Sequence, residues 1–214
     1  MFASMFNPEN DFWRLIGKAA DVMMLSLMWL FCSLPVVTLG AATAALYDAS
    51  VKCVRGGEHG AWSRFLRTFR RELATASLTT LIWVPAIIAL RFAVKALWPA
   101  MTAGLGDALS IALYFVVMLL PLGAFCWMFP LLSRFTFNVP GLCRMGLRFA
   151  LAQLPFTLVI VVLTVLAVEV CVLTIFSVFF VPGLLVLLWS LMMERAFRKY
   201  MPEEEEKLPP AEEE

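Results

Sequence analysis

The sequence predicts an all-α protein: a polytopic membrane helix bundle of about six transmembrane helices, with one or two amphipathic helices at the cytoplasmic interface. Three observations carry that prediction. Of 214 residues, 62% are apolar and 15% charged, against about 45–50% and about 25% in soluble domains. Charge-free runs cover residues 22–47, 73–90, 108–133, 149–168 and 170–193, the last two parted only by Glu169. About 20 apolar residues are enough to cross the ~30 Å hydrocarbon layer. Finally, threading the chain through these runs gathers the basic residues on one side. This composition excludes a soluble enzyme, a secreted disulfide scaffold and a nucleic-acid module.

The first run is longer than one crossing requires and contains Pro35 and Gly40. Together they predict a break, so the run reads as a hairpin with spans over 19–37 and 40–55. In the second arm Ala41, Ala45 and Ala49 recur at every fourth position, a small-residue stripe that permits close helix packing in lipid. The remaining spans fall at 73–95, 108–134, 150–174 and 177–197. All six belong to one membrane-embedded domain, 1–201. Residues 202–214 hold seven of the sixteen acids and form an acidic, disordered cytoplasmic tail, leaving a basic body.

Cytoplasmic flanks collect Lys and Arg, which fixes the threading. With six crossings and both termini inside, fifteen of the seventeen basic residues lie on the inner side, and only Arg91 and Lys95 lie outside. Treating 22–47 as a single broken span divides them thirteen to four and moves the amino terminus outside. The first 11 residues have two acids and no base, unlike a signal peptide, so insertion is expected to use the internal spans.

Two segments are too basic to span. In 61–72, Trp62, Phe65, Leu66 and Phe69 recur at helical spacing, while Arg64, Arg67, Arg70 and Arg71 take the remaining face. Such a helix is expected to lie flat among anionic headgroups or to dock a cytoplasmic partner. The segment 140–149 repeats the pattern more weakly with Arg144 and Arg148, 77 residues beyond Arg67 and Arg71. An internal repeat would give this, but so would any inner loop leading into a span.

Reactive chemistry is sparse. The single histidine, His59, sits in a glycine-rich loop. No nucleophile elbow, HExxH motif or Walker A sequence occurs, so neither an enzyme nor a cofactor or metal site is expected. The five cysteines stand singly and read as small hydrophobes. Intramembrane charges are the remaining signal, since burial in lipid is costly unless they are paired. Glu169 with Arg91, and Lys95 in reserve, is expected to form an outer-side ion pair or a polar vestibule. The tryptophans within spans read as packing or interface residues rather than a sugar platform.

The stretch Cys32-Ser-Leu-Pro-Val-Val-Thr-Leu-Gly-Ala-Ala-Thr-Ala-Ala-Leu-Tyr47, with Met5-Phe-Asn-Pro8 and Arg64-Phe-Leu-Arg-Thr-Phe-Arg70, resembles the YesL-like family of bacterial membrane proteins, a domain of unknown function. The resemblance covers most of 1–200 and is most distinctive in the first seventy residues. It implies a setting in sugar uptake, because members commonly neighbour carbohydrate ABC importers. It brings no catalytic residue or ligand. The expectation is therefore a non-catalytic accessory or regulatory subunit contacting importer permeases. The alternatives are an independent small-solute transporter and a membrane scaffold for glycan use.

Overall fold

The computed structural model describes residues 11–102 and 106–198, and within them the chain is helical with no strand. The acidic tail at 202–214 and the Met5–Pro8 motif lie outside the described residues. Seven α-helices follow in order: α1 (Asp11–Ser33), α2 (Leu39–Ala49), α3 (Ala61–Met101), α4 (Asp107–Arg134), α5 (Val139–Ala152), α6 (Leu154–Leu173) and α7 (Val181–Arg198). Four of these, α1, α3, α4 and α6, are long and apolar enough to cross a membrane. The two other expected crossings fall on shorter helices, α2 with 11 residues and α7 with 18.

The first run does turn back on itself. Helix α1 stops at Ser33, Pro35 opens a 3-10 turn over Val36–Thr38, and α2 begins at Leu39. Thr38 closes the corner: its hydroxyl donates to the carbonyls of Cys32 at 2.6 Å and Pro35 at 2.8 Å. Gly40 is not part of that break. It lies one residue inside α2, where an added Cβ would overlap both the Phe129 ring and the Thr80 hydroxyl. Its function is close approach, letting α2 press against α3 and α4.

Helix α2 is the axis of the bundle. Every residue from Gly40 to Ala49 is buried, with α1, α3, α4 and α7 packed around it. Beyond Ala49 the helix widens to a π-helical turn over Ser50–Arg55, a variant that recurs at functional sites. The expected alanine stripe is therefore one side of a helix that is small-sided nearly all round.

The first basic segment differs from expectation. Helix α3 is continuous over 41 residues, about 60 Å at the ~1.5 Å rise. Residues 61–72 are thus its first turns and not a separate helix lying flat. Ala61, Phe65, Thr68 and Glu72 are buried, while Trp62 is 53% exposed. At about 100° per residue, the buried face is rotated about 80° from the face that the apolar residues suggested. Residues 140–149 do form the separate amphipathic helix expected, α5, which packs along α4 with Arg144 and Arg148 exposed. Leu142, Gly146 and Phe149 are buried, and Phe149 stacks on Trp127 at 5.4 Å between ring centroids. A Cβ at Gly146 would meet Met128 at 2.6 Å, so this contact is also a close one.

At Gln153 the chain bends into α6, which crosses α4. Thr157 bonds Trp127 and lies against Gly123, and Thr164 meets Cys126. Helix α6 then ends against α7.

Candidate functional site

Polar side chains collect where α2 ends and α3 begins. Asp48, 5% exposed, comes from the buried helix. It accepts from Arg64 Nε at 3.0 Å and Thr68 Oγ1 at 2.7 Å, with Lys52 Nζ at 3.9 Å. Arg64 also reaches Glu58 at 2.7 Å. Arg64 and Thr68 are one helical turn apart, so both face α2 together. The sequence reading placed Arg64 in an exposed patch. It departs from that patch because the Asp48 carboxylate, buried without it, would have no cation nearer than Lys52 at 3.9 Å.

A second network ties the far elements to the same end of α2. Tyr47 donates to Glu194 Oε1 at 3.2 Å, and Arg134 Nη2 binds the same oxygen at 2.7 Å. Arg55, from the π-helical turn, donates to Ser190 at 2.8 Å. Glu72 is buried beside Arg71 Nε at 2.6 Å. Three carboxylates, on α2, α3 and α7, thus each hold a guanidinium. The arrangement is hydrogen-bonded and suited to fixing helix positions. Among the described residues no three His, Cys, Asp or Glu side chains converge to hold a metal ion.

The expected outer pair is not assembled. Arg91, Lys95 and Glu169 are all exposed, and neither base lies within ion-pair distance of Glu169 among the described residues. The physical reason is the course of α6, which packs on α4, α5 and α7 and leaves the outer half of α3 aside. Arg67, Arg70, Arg71, Arg144 and Arg148 are exposed as expected. Of these, Arg71 binds Glu72. The others have no carboxylate within ion-pair distance among the described residues.

Sequence reasoning missed a third feature, a partly open cavity of about 430 Å³ between α1, α2, α4, α6 and α7. Its walls include Trp29, Phe125, Phe129, Ala167, Cys171 and Trp189. Trp29 is satisfied, donating to Thr43 at 3.1 Å. Trp189 is 5% exposed and its indole N–H is buried with no acceptor. No periodicity in the sequence announces such a space, because it arises where α6 swings away from α4.

These features define a class: an all-helical bundle of membrane type, with paired charges at one end of α2 and an apolar hollow inside. Residues 22–94 match the family described as "Protein of unknown function, DUF624", to which the YesL-like proteins belong. The match spans most of α1, all of α2 and most of α3, and so contains the whole Asp48–Arg64–Thr68 cluster. No curated protein and no solved structure matches the chain.

Proposed function

We propose that this is a non-catalytic integral protein of the bacterial cell membrane, both termini cytoplasmic, acting as an accessory or regulatory subunit of a carbohydrate ABC importer. The sugar-import setting comes from the family resemblance. The observation that carries an accessory role is the division of charge. The buried carboxylates Asp48 and Glu72, and the half-buried Glu194, are each bound to an arginine within the chain. Arg67, Arg70, Arg144 and Arg148 stand exposed with no carboxylate at ion-pair distance among the described residues. A pathway for a polar solute needs unspent polar groups along the interior, yet the hollow in this bundle has apolar walls. This disfavours an independent sugar transporter. The exposed arginines suit permease subunits or anionic headgroups on the cytoplasmic side.

Affinity capture in mild detergent with quantitative mass spectrometry tests the reading. Permease subunits are expected in stoichiometric yield from wild type, and about tenfold less from Arg67→Glu/Arg70→Glu at equal membrane abundance, a loss of ~1.4 kcal/mol. Equal recovery from both forms defeats the docking role. Solute uptake by the purified protein alone in liposomes would favour a transporter. Orientation is checked separately: a cysteine at Gly106 should react with an impermeant thiol reagent in intact cells, and one at His59 should not, in a background without native cysteines.

A further inference from the structure

We propose that the acidic segment Glu203–Glu206, which follows α7, folds back onto the exposed arginines of α3 and α5: Arg67, Arg70, Arg144 and Arg148. Helices α3 and α5 pack on one another. Each presents two of these arginines, three or four residues apart and exposed. The neighbouring bases are already committed: Arg64 to Asp48 and Glu58, Arg71 to Glu72, Arg134 to Glu194. The four that remain have no carboxylate at ion-pair distance among the described residues. Like charges at that helical spacing repel, so the surface calls for an anion.

Charge complementarity within the chain identifies that anion. Before Pro202 the sequence has sixteen Lys and Arg against nine Asp and Glu, a net +7. Residues 202–214 have seven Glu against Lys207, a net −6, and four of those glutamates are consecutive. An anionic membrane surface also attracts arginines, but it repels a run of glutamates tethered beside them. Pairing the glutamates with the arginines removes that conflict. A single exposed ion pair is weak; tethering makes several of them intramolecular, so they act together.

Helix α7 delivers the segment to the right end of the bundle. It starts with Gly183 on Ser26, passes Ser190 on Arg55, and brings Glu194 to Tyr47 and Arg134. Arg134 closes α4 five residues before α5 opens at Val139. Tyr47 precedes Asp48, the partner of Arg64 near the start of α3. Chain leaving α7 at Arg198 therefore emerges where α3 and α5 both begin. Glu206 is eight residues beyond Arg198, a reach of up to about 26 Å at ~3.3 Å per residue. That exceeds the length of α5, whose 14 residues cover about 21 Å at the ~1.5 Å rise.

The contact is internal to the chain and stands or falls without the importer role. The test uses the full chain, free of native cysteines, in phosphatidylcholine nanodiscs under a mild oxidant. Leu208→Cys is paired with Leu147→Cys, beside Arg148, or with Ala74→Cys, one turn beyond Arg70; Leu147 and Ala74 are exposed. Disulfide formation is expected about tenfold faster than in the same proteins with Glu203, Glu204, Glu205 and Glu206 all changed to Gln. It should slow toward that lower rate as salt rises from about 0.05 M to about 0.5 M and screening shortens. Changing Arg67, Arg70, Arg144 and Arg148 to Gln should slow it equally. The glutamine tail leaves the bundle untouched, so it still decides if the arginine variant does not fold. Equal rates with glutamate and glutamine tails overturn the proposal. So does loss of the faster rate when about a third of the lipid is phosphatidylglycerol, because headgroups then hold the arginines.

Discussion

Helices α2 and α6 take opposite positions in the bundle. Ten of the eleven residues of α2 are buried, against only Thr157, Ile160 and Val161 in the twenty-residue α6. Yet α6 carries valines, leucines and isoleucine almost throughout, while α2 is chiefly alanine with glycine, threonine, tyrosine and an aspartate. In water the more apolar helix would go inside. In hydrocarbon nothing drives large aliphatics away from their surroundings, so the interior goes to the helix that allows backbones to come close. Small size and polar anchorage, rather than hydrophobicity, decide burial here.

That contrast can be broken most sharply at Gly40. Gly40→Leu forces a side chain into the Phe129 ring and the Thr80 hydroxyl, and is expected to cost about 3 kcal/mol or more. Membrane abundance and the monodisperse peak in detergent should collapse, and a tolerated Gly40→Leu would mean α2 is not enclosed. Next comes the charge lock. Asp48→Asn weakens the bonds to Arg64 and Thr68 while Arg64 keeps Glu58, and should cost about 2 kcal/mol, the size of a hydrogen bond to a charged group. Adding Arg64→Gln should cost less than the two single losses together, whereas additive losses in denaturant titrations would dissolve the pair.

Smaller effects sharpen the comparison. Tyr47→Phe removes the donor to Glu194 while Arg134 keeps its contact, so about 1 kcal/mol should be lost, read as a few degrees in thermal melts. At the exposed helix the effect should nearly vanish. Leu166→Ala exchanges one lipid contact for another and should stay within about 0.5 kcal/mol. Glu169→Gln and Arg91→Gln should show no coupling energy in a double-mutant cycle, in keeping with their separation.

Much of the fold was legible because lipid imposes long apolar runs. The turn near Pro35 follows from proline's missing donor, and the long helices from runs without charge. Side-chain roles were harder. Gly40 reads as a breaker because glycine breaks helices in water; its close neighbours, Phe129 and Thr80, lie far off in sequence. On α3, the stripe of Trp62, Phe65, Leu66 and Phe69 reads as the buried side. Burial instead follows Thr68 and Glu72, polar residues whose partners make them internal. Asp48 was recognisable as a charge in need of a partner, but Arg64 as that partner depends on how α2 and α3 align. The Glu169–Arg91 pairing requires parallel, upright spans, a condition that fails where α6 crosses α4.

The unbroken course of α3 has a mechanical corollary. One rod begins beside the Asp48 lock, carries Arg67 and Arg70 on its exposed flank, and continues past Trp83, whose indole donates to the Pro121 carbonyl at 3.1 Å, to Trp98, packed edge-on against Tyr114. Over about 60 Å, a tilt of about 5° at one end sweeps the other through about 5 Å. A small tilt at the arginine end is thus enlarged into a displacement at Trp98, with Pro85 as the place where the rod would flex.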